Sequence, residues 1–156
     1  MADFSFNIAK GKVREYHDRV ANNDPTNAAL VLVAVVTTEA DGTLQDLDDL
    51  SLVLANANTA EATNTGYSRI VLTDADITVS APDDTNNRVD LDFADQTFSS
   101  ISAGDNWTDL ILCYDSDTTG GTDANIIPLI QFDFSVTPNG GDITAQLNAA
   151  GYYRVS

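Results

Sequence analysis

The hydrophobic positions fall into three strong patterns. Ala28–Thr38, AALVLVAVVTT, is a near-continuous β-branched run. It is too short to span a membrane and has no alternation, so it predicts a central strand buried on both faces. Asp109–Tyr114 and Ile126–Phe134 are two further apolar, β-prone runs, and they flank a loop built from Asp, Ser, Thr, Gly and Asn. That is the clearest strand–loop–strand signal in the chain. The third pattern is helical. After a short alternating start (Phe4, Phe6, Ile8), Val13, Tyr16 and Val20 recur at three- and four-residue steps with charged residues between them, predicting an amphipathic helix over about 8–20. Asn22-Asn23-Asp24-Pro25 ends it.

Weaker patterns fill in the rest. Leu44, Leu47, Leu50 and Leu54 predict a second helix over about 43–55, with Thr43 and Asp46 spaced as a capping box. Asn56–Gly66 is small and polar and reads as a loop. Short strands are expected at Ser68–Leu72, Asp76–Val79, Val89–Phe93, Gln96–Ile101, Ile143–Leu147 and Tyr152–Val155, separated by turns rich in Pro, Asn, Asp and Gly. In Val89–Phe93 the apolar residues alternate with Arg88, Asp90 and Asp92, as in a strand with one wet face. The expected fold is mainly β: a β-sandwich or jelly-roll-like single domain spanning 1–156, with two short helices packed at an edge.

Charge sharpens this picture. The 156 residues include 24 acids and 7 basic residues, for a net charge of -17. Most carboxylates must therefore face water, and such a surface repels nucleic acid and anionic lipid. Neither is an expected partner. The imbalance is not uniform. Within 1–24, Lys10, Lys12, Arg14 and Arg19 balance Asp3, Glu15, Asp18 and Asp24, whereas the remainder holds only Arg69, Arg88 and Arg154. The N-terminal segment is thus electrostatically distinct and suited to docking on an acidic surface. Lys10, Lys12, Arg14, Tyr16 and Arg19 are its candidate interaction residues.

Candidate chemistry is sparse. Asp115, Asp117, Thr119 and Gly120 match the opening of a calcium loop, but the position that needs the closing carboxylate is Ile126, so a helix–loop–helix calcium site is excluded. A calcium site of another kind on Asp115, Asp117 and Asp123 stays open beside the plainer reading, a polar loop whose Asp side chains bond their own backbone. His17 is the single histidine, mid-helix among charged residues and expected to be exposed. Cys113 is the single cysteine, expected as a small buried hydrophobe. Neither nucleophilic catalysis nor zinc has the residues it needs. No cofactor and no enzymatic role is expected. Trp107, Tyr114, Tyr152 and Tyr153 are candidates for stacking on a sugar, against a plainer reading as core or interface. The start of the chain lacks the apolar run of a signal peptide, and synthesis in a cytoplasm is expected.

Several phrases together carry a resemblance: FNIAKGKV, NDPTNAAL, EATNTGYSRIVLTDADI, DDTNNRVDLDFADQT, CYDSDTTGGTDANIIPL and NAAGYYRV. The chain resembles small acidic virion structural proteins of tailed bacteriophages and prophages. The resemblance implies a decoration or cement protein of β-sandwich type on the outside of the head. It would be a homo-oligomer, expected as a trimer, bound to the major capsid protein. The alternatives are a tail or neck component, and, from another class, a carbohydrate-binding β-sandwich module. On this reading residues 1–24 make the capsid or inter-subunit contact, and removing 1–20 is expected to leave a folded domain that no longer loads.

Overall fold

The computed structural model describes residues 2–148 and 150–155. Strand β2 (Ala29–Thr37) lies at the centre of the large sheet, antiparallel to β8 (Trp107–Asp115), which is antiparallel to β9 (Ile127–Val136). Strand β1 (Phe4–Ser5) covers part of the outer edge of β9. On the other side of β2, two short strands share one edge: β4 (Ile70–Leu72) pairs with its first half and β3 (Thr59–Glu61) with its second. Two smaller antiparallel sheets lie apart from this one. One joins β5 (Ile77–Val79), β6 (Val89–Phe93) and β11 (Tyr153–Val155), and the other joins β7 (Gln96–Phe98) to β10 (Ile143–Ala145). The result is a single, mainly β domain of sandwich-like build.

The unbroken apolar run of β2 is explained by two cores. Leu30, Leu32 and Ala34 point to one face, where they pack with Leu110, Leu112 and residues of the small sheets, including Leu91, Phe93 and Phe98. Val31, Val33 and Val35 point to the other, where they meet Phe6, Leu44, Leu50 and Val53. Alternate residues of one strand thus serve opposite cores, which is why β2 is apolar on both faces. Each fully buried leucine here is worth roughly 2–5 kcal/mol against alanine.

Helix α1 (Val13–Ala21) lies on the first core. It starts later than the periodicity predicts. Residues 7–9 form a 3-10 turn, and Gly11 takes a positive φ of 78°, which breaks the continuity from Ile8. The expected helix over 43–55 is two helices, α2 (Asp41–Leu44) and α3 (Leu50–Ala55). The break is at Asp49, whose backbone is extended and whose Oδ1 accepts the Leu52 N–H at 2.9 Å. An Asp that caps the next helix cannot also continue the last one. The anticipated Thr43–Asp46 box is therefore not used, since Thr43 lies inside α2. Strand β3, in a stretch read as loop, is too polar to announce itself and is strand because β2 offers it an edge.

The N-terminal segment is not a detachable arm. Phe6, Ala9, Val13, His17 and Val20 are all buried at 0 or 1% exposure, Phe6 in one core and the three aliphatic residues in the other. The expectation that 21–156 folds alone is corrected accordingly: truncation would expose both cores. Losing Phe6 alone should cost about 3–5 kcal/mol, a large share of the ~5–15 kcal/mol that holds a domain together. A chain lacking 1–20 is expected to show no cooperative thermal transition by circular dichroism. A sharp transition near that of the full chain would contradict this packing.

Candidate functional site

The loop between β8 and β9 is rich in acids. Its carboxylates are used to hold the loop itself. Asp115 Oδ1 accepts the Asp117 N–H at 3.0 Å, and Asp117 Oδ1 accepts the Thr119 N–H at 3.0 Å and its hydroxyl at 2.6 Å. These bonds favour the charged form of Asp117 and hold its carboxyl below the usual range. Asp123 faces away from such a role. Both its oxygens accept from the Arg69 guanidinium, at 2.6 and 2.9 Å. Among the described residues no group of three or more His, Cys, Asp or Glu side chains is placed to hold a metal ion. Asp115, Asp117 and Asp123 therefore do not form one site.

Arg69 is the hub of what these residues do form. Its guanidinium also grips Glu61 with two bonds, at 2.8 and 2.6 Å, so one cation clamps two carboxylates in fork-to-fork geometry. Glu61 in turn accepts the Tyr67 hydroxyl at 2.9 Å, and that hydroxyl accepts the Ala34 N–H of β2 at 3.0 Å. A continuous polar chain thus runs from the middle of the large sheet to the outer loop. The two forks raise the Arg69 pKa and lower that of Asp123. Burial beside Glu61 pushes the Tyr67 phenol up. Sequence reasoning missed this triad because Glu61, Arg69 and Asp123 lie far apart in the chain and carry no motif.

His17 is fully buried, which corrects the expectation of exposure. It sits on the inner face of α1 beside Val13 and Val20. Its Nε2 is 3.0 Å from the Thr78 carbonyl, so Nε2 carries the proton and donates, and Nδ1 accepts the Tyr152 hydroxyl at 2.7 Å. The neutral imidazole is satisfied on both nitrogens and ties α1 to β5 and to the segment before β11. Burial pulls its pKa below the ordinary value, against the Thr78 bond, which raises it. Cys113 is fully buried, with its thiol pushed up by desolvation.

The four aromatics proposed as a sugar platform do not make one. Trp107 is 1% exposed, with its indole N–H on Asn64 Oδ1 at 2.8 Å and Phe98 edge-on at 5.0 Å. Tyr114 is buried under Tyr16, the rings stacked at 4.7 Å. Tyr152 packs against Phe93 and His17, and Tyr153 lies half-buried in β11. Sequence cannot separate a core aromatic from an exposed one when both sit in alternating strands. A different concavity does open to solvent: an apolar slot of about 160 Å³ between Leu110, Phe132 and Phe134 on the large sheet and Phe93 and Leu147 opposite, with Asp3 and Asp133 in its wall.

The basic residues of the N-terminal segment are placed as follows. Arg14 pairs with Asp18 and Arg19 with Glu15, each at 2.8 Å and each one helical turn apart. Lys10 donates to Asn7 Oδ1 at 2.5 Å, and Lys12 is exposed. Tyr16 is spent on the Tyr114 stack and is not part of the outer face. Exposed pairs of this kind add little stability.

No family model, no curated protein and no solved structure matches the chain. What the site can do rests on its geometry.

Two outcomes check that geometry. Arg69→Ala strands Glu61 and Asp123 beside each other and is expected to cost about 2 kcal/mol, with faster amide exchange across 116–126; Arg69→Lys should recover only part, lacking the fork. For His17, the folded pKa is depressed, so its contribution is present above about pH 6.5 and is lost as pH falls through the lowered value. Urea unfolding of wild type and His17→Gln across that range should show the loss in wild type alone, and parallel curves would contradict it.

Proposed function

We propose that this is a non-enzymatic virion structural protein of a tailed bacteriophage, a decoration or cement protein that binds the major capsid protein on the outside of the head and stabilises the junctions between capsomers. The reading starts from the resemblance of the chain to such proteins. The observation that carries it furthest is how the polar groups are used. Carboxylates cap their own loops or share an arginine, the histidine is locked between two neutral partners, and the aromatics are core. That use of polar groups suits a structural scaffold.

Two surfaces suit the role. The net charge of -17 keeps free subunits apart and soluble before assembly. The charge-balanced outer side of 1–24, with Lys10 and Lys12 exposed, offers a face for docking on an acidic partner, and the nearby apolar slot offers an anchor point. Proteins in this role commonly assemble as trimers where capsomers meet, and a homotrimer is part of the proposal. Neither nucleic acid nor membrane is a partner in it, and the subunit is made in the host cytoplasm before joining the capsid surface.

Cryo-electron microscopy of virions carrying this chain is the deciding experiment. Density for it on the head at two-fold or three-fold positions between capsomers is expected. Density in the tail or neck would overturn the placement, and absence from the particle would overturn the function. A K10E/K12E double variant, which leaves every buried residue intact, is expected to fold normally and load poorly onto heads lacking the protein. Full loading would remove 1–24 from the interface.

A further inference from the structure

Asp109 on β8 and Gln131 on β9 lie on the helical face of the large sheet. Gln131 stands opposite Ile111, Asp109 lies two residues along β8 on the same face, and both are 0% exposed. Gln131 Nε2–H donates to Asp109 Oδ1 at 3.0 Å. Two oxygens remain, Asp109 Oδ2 and Gln131 Oε1, and both are buried without a hydrogen-bond partner. With Asp109 ionised, both are acceptors with nothing to accept, and a buried carboxylate left this way is heavily penalised. No lysine or arginine among the described residues pairs with it.

A carboxylic acid and a carboxamide are both planar, and each can offer one donor and one acceptor along an edge. The bond already present makes one half of such a pair. Adding one proton to Oδ2 turns the two orphan acceptors into a donor and its acceptor. We propose that Asp109 is a protonated carboxylic acid in the folded protein, joined to Gln131 by two bonds, Nε2–H to Oδ1 and Oδ2–H to Oε1, and that this proton latches the N-terminal strand onto the sheet. The latch follows from position. Phe4 of β1 is the direct partner of Gln131, and the Phe6 N–H continues the pairing on the Leu129 carbonyl at 3.0 Å. Ionising Asp109 would set a buried charge against Gln131, the residue of β9 on which Phe4 is registered.

The surrounding charges are named by element. On β9, Asp133 stands opposite Asp109 and disfavours its ionisation. At the start of β1, Asp3 accepts the Asp133 N–H at 2.8 Å. At the head of α2, Asp41 accepts the Ala2 N–H at 3.2 Å, and its other oxygen is buried without a partner. Burial is the largest influence on the Asp109 carboxyl and pushes it up, while the Thr108 hydroxyl, the Gln131 amide and the positive charge at the head of the chain pull it down. The folded state therefore holds this proton more tightly than the unfolded chain does, and the contribution is lost as pH rises from the ordinary carboxyl range through the raised value. His17 acts with the opposite sign.

Asp109→Asn tests the idea on the full chain, because asparagine keeps both bonds as an amide–amide pair and cannot ionise. Three readings are expected. Wild type at neutral pH shows the infrared carbonyl band of a protonated carboxyl, and the variant lacks it. The folding equilibrium of the variant gains on wild type by up to about tenfold per pH unit through the window. Amide exchange at Phe4–Phe6 accelerates with pH beyond its intrinsic rate in wild type and not in the variant. Should the variant fail to fold, the carbon-13 shift of the Asp109 carboxyl in labelled wild type decides alone. A carboxylate shift at neutral pH, or a wild-type-to-variant difference that ignores pH, overturns the proposal.

Discussion

A strand buried on both faces leaves its backbone no access to water, and this constraint organises the molecule. Every N–H and C=O of β2 must find a protein partner. One side is met by β8 along its length. The other is assembled from pieces: β4 for Leu30–Leu32, β3 for Val35–Thr37, and between them the Tyr67 hydroxyl on the Ala34 N–H and the Ala62 N–H on the Ala34 carbonyl. A side-chain hydroxyl stands in for a missing ladder rung. The loop from Ala62 to Arg69 must then return to the same edge, and Glu61 and Arg69 hold its two ends together.

From that patch the rest of the outer structure follows. Arg69 is one of only 7 basic residues facing 24 acids, so where it is spent matters. It is spent where two strand ends and the β8–β9 loop converge, fixing a loop that mutual repulsion of its carboxylates would otherwise open. Arg88 and Arg154 do similar work in the small sheet, both reaching Asp90, at 3.1 and 2.8 Å. In the body Arg69 and Arg154 tie separate elements together, and in 1–24 Arg14 and Arg19 answer acids one turn away. An exterior of this kind is strongly anionic.

Two buried titratable groups outside this network, His17 and Asp109, are handled in opposite ways. His17 has both nitrogens hydrogen-bonded, and the Asp109 carboxyl has one oxygen bonded to Gln131 and, in the proposal above, a proton on the other. His17 lies under α1, and Asp109 bonds the β9 glutamine that stands opposite Phe4 of β1. The segment that looked most like a free arm is therefore the one whose seating answers most directly to pH, from the acid side at one end and the alkaline side at the other.

The sequence by itself determined the elements whose hydrophobic period is long and uninterrupted. The double-buried β2, the β8–β9 pair, the alternating β6, the buried Cys113 and the self-capping Asp loop were all legible, because local spacing dictates which faces are apolar. The tertiary structure decided what depends on distant partners. Asp49 splits a leucine-spaced helix, a polar TAE becomes strand on a vacant edge, and His17 turns inward to meet Thr78 and Tyr152. Glu61, Arg69 and Asp123 meet from three separate regions, as do Asp109 and Gln131 from neighbouring strands. Local periodicity records burial along one element. Pairing, proton placement and ion clamps are properties of the space between elements, and only the folded chain brings that space into being.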